Sequence, residues 1–172
     1  IRMNKLSVFT DGAARGNPGP GGYGVVISYN QQTEIGVDEK GEKLYKTEII
    51  SKEYSAGYKQ TTNNRMEMMA AIRALEEIKE PSEISLYSDS QYLVNAINKN
   101  WIESWISKGW KKSDGNDVKN QDLWKKLISL MKPHKVSFIW VKGHNGHPLN
   151  ERCDQLATNA ADNNATLDDV AI

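Results

Sequence analysis

VFTDGAARGNPGPGGYGVV, residues Val8–Val26, sets two strands on either side of a loop almost bare of side chains. The apolar run Leu6–Phe9 ends at Thr10-Asp11, glycines at 12, 16, 19, 21, 22 and 24 and prolines at 18 and 20 follow, and apolar residues resume at Val25. That pattern predicts a strand, a tight connection and a second strand. Glycine adopts backbone angles closed to other residues and lets a large partner approach the main chain. Asp11 falls where the first strand meets the loop, and a buried carboxylate requires a proton, a partner or a metal. Alone, the stretch equally fits a hairpin with a solvated aspartate. It lacks the G-x-x-x-x-G-K-[ST] spacing, and no G-x-G-x-x-G opens a helix, so it reads poorly as a nucleotide phosphate loop.

Outward from it, Asn4–Thr10 is predicted as the first strand and Gly22–Tyr29 as the second. Asn30–Lys52 is mostly charged and polar, with a turn signal at Glu39-Lys40-Gly41, and predicts an extended hairpin whose third strand enters near Lys46 and leaves through Gln60. Charged strands specify their register weakly. A helix starts within Thr61–Asn64, with Met68, Ala71, Ile72, Leu75 and Ile78 on one face, and stops before Pro81. Glu83–Ser88 is a strand ending at Asp89, and Ser90–Lys99 a helix. Trp101–Trp110 is helical, Val118–Met131 a helix, and Val136–Val141 a strand. A last helix buries Leu149, Cys153, Leu156, Ala157 and Ala160. Strands first, then helix and strand in alternation, predict an α/β fold with a mixed sheet and helices on its faces. The division expected is one domain over 3–164 and a C-terminal tail over 165–172 that is frayed unless Leu167 docks.

The chain has 172 residues, enough for one domain with a real core. Lys+Arg and Asp+Glu both number 22, so any affinity for nucleic acid must come from uneven placement of charge. Its single cysteine, Cys153, rules out an intramolecular disulfide and a cysteine-based zinc site. No apolar run reaches membrane-spanning length. The expectation is a cytoplasmic monomer with no membrane partner.

Asp11 and Asp89 each end a strand. If those strands are parallel neighbours, both carboxylates meet at the sheet edge where ligands gather in open α/β folds. Glu67 near the start of the first helix and Asp154 one turn into the last can join them. An all-oxygen cluster suits a hard cation such as Mg²⁺ or Mn²⁺. Two such ions ~4 Å apart can hold both the attacking and the leaving oxygens of a phosphodiester. Each acid also has a plainer reading: Glu67 in a capping box with Asn64, Asp89 as the N-cap before Ser90, Asp154 on a solvated helix face. His144 and His147 lie in GHNGHP, and a loop histidine suits proton transfer near neutral pH. For His147 and His134 the plainer structural reading is preferred.

Lys99, Lys108, Lys111 and Lys112 surround Trp101, Trp105 and Trp110, with Glu103 the only acid in that span. Basic residues interleaved with aromatics are a nucleic-acid footprint, with lysines meeting phosphates. Tryptophans four apart also form a packing face, so buried Trp and exposed Lys are expected on one element. Asn17, Asn63, Asn64 and Gln91 lie beside the acids, and amides suit 2′-hydroxyls and base edges in a wide minor groove.

TDGAARGNPGPGGYG, TTNNRMEMMAAIRAL, SDSQY, WVKGHNGHPLNERCDQLA and WKK…VKNQDLW resemble, in order from Leu6 to Ala161, the type 1 ribonuclease H family of the bacterial kind. The resemblance implies a five-stranded mixed sheet, three strands antiparallel and the rest parallel, flanked by helices. It implies cleavage of the RNA strand of an RNA–DNA hybrid by two Mg²⁺ ions (Mn²⁺ substituting), leaving 5′-phosphate and 3′-hydroxyl ends. Asp11, Glu67, Asp89 and Asp154 fall on the family's metal ligands: Asp11 bridging both ions, Asp154 on the water-activating ion, Glu67 and Asp89 on the ion at the leaving oxygen. His144 falls on the histidine of proton transfer and product release. Asn17, Asn64 and Gln91 fall on minor-groove contacts, and Thr62 and Asn63 on a DNA-phosphate pocket. Lys99–Lys112, with Trp101, Lys108, Trp110, Lys111 and Lys112, falls on the basic protrusion. Two stretches depart: the hairpin Asn30–Tyr54 is longer than usual, and Ala13-Ala14-Arg15 replaces a cysteine-containing turn. The rival readings are a binding module that has lost catalysis, and a nuclease of the same fold acting on DNA, as integrases and junction resolvases do.

Overall fold

The structure is a computed structural model, and it describes residues 4–143 and 146–171. Its strands are β1 (Asn4–Ala14), β2 (Gly19–Val37), β3 (Lys43–Thr61), β4 (Ser82–Ser88), β5 (Lys135–Trp140) and β6 (Ala165–Leu167). Its helices are α1 (Asn63–Glu77), α2 (Gln91–Asn98), α3 (Trp101–Ser107), α4 (Gln121–Met131) and α5 (Pro148–Asn163). Among the described residues no helix is long and apolar enough to cross a membrane.

The strands form one mixed sheet in the order β5-β4-β1-β2-β3-β6. β1–β2 and β2–β3 are antiparallel; β1–β4, β4–β5 and β3–β6 are parallel. The α/β class and mixed pairing agree with the sequence, but the described residues form six strands, not five. The sixth comes from the stretch set apart as a tail: Ala165 pairs with Gly57 and Leu167 with Tyr58. Three residues are too few for a legible alternation, which is why the sequence hid it.

Centrality explains the apolar run in β1. Val8 joins the core beneath α1, α2 and α4, and its neighbour Phe9 packs on the opposite face with Val26 and Cys153. Successive strand residues point to opposite faces, so a strand covered on both sides must be apolar throughout. Trp124 is wholly buried in the larger core, and its indole N–H donates to the Tyr92 hydroxyl at 3.1 Å.

Among the described residues α5 is the helix that covers the other face, and it lies directly on glycine. A Cβ on Gly24 would stand 2.4 Å from the Cys153 carbonyl oxygen, one on Gly22 2.6 Å from that of Ala157, and one on Gly57 2.4 Å from that of Ala160. The glycines of the opening stretch are therefore the bed of a helix as much as the substance of a loop.

Candidate active site at the sheet edge

Strand register brings the first two acids together. β1 and β4 run parallel with Phe9 opposite Tyr87, so Asp11 and Asp89, each two residues further on, emerge level at the same edge. Glu67 reaches them from the first turns of α1. A Cβ at position 12 would stand 2.4 Å from the Glu67 nitrogen, so only glycine there admits α1 so close. The Gly12 N–H donates to the Glu67 carboxylate and also to Asp11 Oδ1, the latter at 2.9 Å. One carboxylate oxygen each from Asp11, Glu67 and Asp89 lies within 4.8 Å of the others.

The plainer readings of two acids fail on local geometry. Thr62, not Asn64, caps α1, its hydroxyl accepting from Arg65 N at 3.3 Å. Ser90, not Asp89, caps α2, accepting from Leu93 N at 3.1 Å. Asp154 lines the same cleft as Asp11 and Asp89 but stands outside the tight group of three. Lys142, Asn150 and Glu151 share that cleft, and the sequence reading did not single them out. Gly143 lies over Asp89, where a Cβ would come within 2.9 Å of its carboxylate. His144 lies outside the described residues. His147 is exposed, but it caps α5, its Nδ1 accepting from Leu149 N at 3.2 Å, and stacks on Phe9, contacts that a plain polar loop residue would not make. His134 accepts from Ser82 N at 3.1 Å through Nδ1.

Burial, then repulsion from Asp89, pushes Asp11 up to about 7. Burial first, and Asp11 and Asp89 after it, push Glu67 well above the usual carboxylate range. No ion pair among the described residues brings a lysine or arginine to Asp11, Glu67 or Asp89. Three carboxylates held this close at one sheet edge, two of them with their charge opposed by burial and by one another, are a donor set for a hard divalent ion.

Comparison with known proteins agrees with this arrangement. The family model for RNase H matches residues 3–162. The chain is 54% identical over 166 residues to "Ribonuclease H" of Lachnoclostridium phytofermentans, covering 96% of this chain and 97% of that one. It is 46% identical to "Ribonuclease HI" of Synechocystis, covering 96% and 93%. The chain belongs to the type 1 ribonuclease H family, of the bacterial kind. It is an enzyme, and by family a nuclease. Among solved structures it is similar to LC9-RNase H1, with a TM-score of 0.78, 29% identity, and 94% and 74% of the two chains covered. It is also similar to LC11-RNase H1, whose structure is of a complex with an RNA/DNA hybrid, at a TM-score of 0.60, 28% identity and 91% and 96% coverage.

In this ribonuclease H the amide residues fall in the glycine loop and at the starts of α1 and α2. Asn63 Oδ1 accepts from Ala14 N at 2.6 Å, and Asn17 Oδ1 accepts from Asn63 N at 3.2 Å, tying the glycine loop to the start of α1. Asn64 and Gln91, at the starts of α1 and α2, are exposed. Trp101, Trp105 and Trp110 form a ladder with ring centroids 6.4 Å apart, and Trp105 continues it to Trp124 at 5.7 Å. Trp101 is exposed and Trp110 half-buried, while Lys99, Lys108, Lys111 and Lys112 are exposed, as a surface anchored by its own tryptophans requires. Acids just beyond the span temper it: Lys111 pairs with Asp117, and Lys112 stands 3.9 Å from Asp114.

Proposed function

We propose that this ribonuclease H is an endonuclease that hydrolyses the RNA strand of RNA–DNA hybrids, leaving 5′-phosphate and 3′-hydroxyl ends. The observation that carries the reading is the tight group of Asp11, Glu67 and Asp89 at the edge shared by β1 and β4. These three, with Asp154 across the cleft, would hold two Mg²⁺ ions, Mn²⁺ serving in their place. Bound there, the ions would supply Lewis-acid stabilisation of the phosphodiester oxygens and a water molecule acidic enough to attack.

The chain's own residues do the rest. The Gly12 N–H donates to the Glu67 carboxylate beside the cleft, and Gly143 puts no side chain of its own over Asp89. Asn17, Asn64 and Gln91 present donors and acceptors to sugar hydroxyls and base edges of the hybrid's minor groove. Thr62 and Asn63, at the N-terminus of α1, offer a DNA phosphate a favourable end of the helix dipole. The lysines from 99 to 112 hold the DNA strand, with Trp101 and Trp110 against its sugars. His144 would move the proton of the leaving group. One chain supplies every group named, so each chain is catalytically complete by itself, whether or not it meets a second copy, and the cytoplasm is its proposed place of work.

The test is end-labelled RNA presented as hybrid, as single strand and as RNA duplex, each with Mg²⁺ and with EDTA. Cutting of the hybrid alone, abolished by EDTA, is expected. Comparable cutting of duplex DNA would move the substrate to the integrase-like class, and hybrid binding without cutting would leave only a binding module.

A further inference from the structure

β2 and β3 outrun the sheet. β1 parts from β2 at the Ser7–Ser28 pair, yet β2 and β3 stay paired to Val37–Lys43. This arm leaves from the edge opposite the carboxylates: Asp11 is level with Gly24, and Val37 lies on the order of 40 Å further along β2. It carries Ile35, Val37, Leu44, Tyr45 and Ile49, which are 63%, 60%, 44%, 53% and 74% exposed. A two-stranded ribbon is marginally stable alone, and an uncovered strand edge is a template for another strand. β6 takes the outer edge of β3 only at Gly57 and Tyr58. Among the described residues no strand covers that edge from Lys43 to Ala56.

The residues on this edge are complementary to themselves. We propose that it pairs with the same edge of a second copy of the chain, antiparallel, about a two-fold axis at Thr47. In that register Lys46 faces the second copy's Glu48, and Glu42, just before β3, faces its Lys52. Tyr45 faces its Ile49 and Leu44 faces its Ile50. Charge meets opposite charge and apolar meets apolar at each of these positions, and the two-fold repeats them all. Moving the axis by one residue, to Lys46 or Glu48, sets Leu44 opposite Glu48 or Lys52 and loses the match. Pattern therefore fixes a register that a charged edge otherwise leaves loose. The pairing also fits the space, since the second copy's Glu42 would reach Lys52 and its turn would end short of the edge that β6 occupies. Within one chain Lys46 and Glu48 already share a face, their charged groups 3.0 Å apart. The dimer would place a second opposite charge beside each. Both clefts stay open, because the arms meet on the far side of each sheet from its carboxylates.

Sedimentation of the full chain, from low micromolar to several hundred micromolar, reads this directly. A concentration-dependent rise to twice the 19.3 kDa chain mass is expected. Lys46→Glu sets like charges opposite at both symmetry-related positions and should weaken association about ten-fold or more. The double exchange Lys46→Glu with Glu48→Lys restores opposite charges and should restore the dimer, with hybrid cleavage per chain unchanged throughout. A single 19.3 kDa species at every concentration would overturn the proposal. So would a Lys46→Glu dimer as tight as the parent, or a double exchange as weak as the single.

Discussion

At Asp11, protons would compete with the divalent cations of the proposed reaction for the same oxygens. Its folded value of about 7 lies above the ordinary 3.8, so between those values the folded chain binds more protons than the unfolded one. The Asp11 contribution to the stability of the cation-free protein should therefore fall as pH rises from about 4 to about 7, and Glu67, also raised, adds to the same downward slope. Urea denaturation in EDTA across that range checks the slope. Asp11→Asn removes the charge, and its amide oxygen can still accept from Gly12. It should abolish cleavage while raising cation-free stability at pH 8 by about 2 kcal/mol. Appreciable residual cleavage would remove Asp11 from its central role. Arg65 poses the converse problem, a buried cation satisfied twice over. Asp169 takes it at 2.7 and 3.0 Å, and Asp122 at 2.7 and 3.0 Å. Burial opposes the charge on Arg65, and these two carboxylates more than offset that. Burial acts against Asp169 as well, but Arg65 and Thr61 hold it below the usual carboxylate range. Asp169→Asn should cost about 3 kcal/mol in urea denaturation, since breaking a buried pair leaves a charge uncompensated.

At the scale of elements, α5 is where stability and activity share a contact. Gly24→Ala drives a methyl into the Cys153 carbonyl, one residue before Asp154. Overpacking of this kind costs about 1–3 kcal/mol, and here it also lifts Asp154 from the cleft. Thermal denaturation should show the loss, and kcat should fall more than KM rises. Helices and core strands were legible in the sequence because their apolar spacing is imposed by what they bury. Even so, α4 starts at Gln121 rather than Val118, and α3 ends at Ser107, where Gly109 and Trp110 take left-handed backbone angles and fold Trp110 back on Trp105. Asp11 and Asp89 were placed at one edge by the apolar runs that precede them, although β1 does not end at Asp11 as expected but runs on to Ala14, because its pairing with β2 continues through the glycines. The bracing of Arg65 was not legible, because Asp169 sits in an acidic tail where a lone aspartate reads as solvated. Nor was the full reach of β2, read only to Tyr29 where it runs to Val37, because its distal half is exposed and carries no inward-facing pattern, whereas β3 was read nearly whole, from near Lys46 through Gln60.

For the whole molecule, zero net charge means the grip on a polyanion is local and can be tuned. Replacing Lys108, Lys111 and Lys112 by alanine should raise KM and flatten its dependence on salt, since each phosphate contact adds about one to the slope. Replacing Asp114 and Asp117 by asparagine should steepen it. Steady-state cleavage at a series of salt concentrations distinguishes the two. An unchanged slope in the lysine variant would remove the protrusion from the binding surface.

The buried clamp on Arg65 has an order in time. A ribosome delivers α1 early and residues 165–169 only after every element they brace. Until Asp169 emerges, the guanidinium at the start of α1 has Asp122 but lacks its buried partner, and the helix carrying Glu67 is held less firmly than in the finished chain. The nascent chain can pair its first five strands as it is made, yet β6 and the buried partner of Arg65 on α1 come only with the residues that lead up to Asp169.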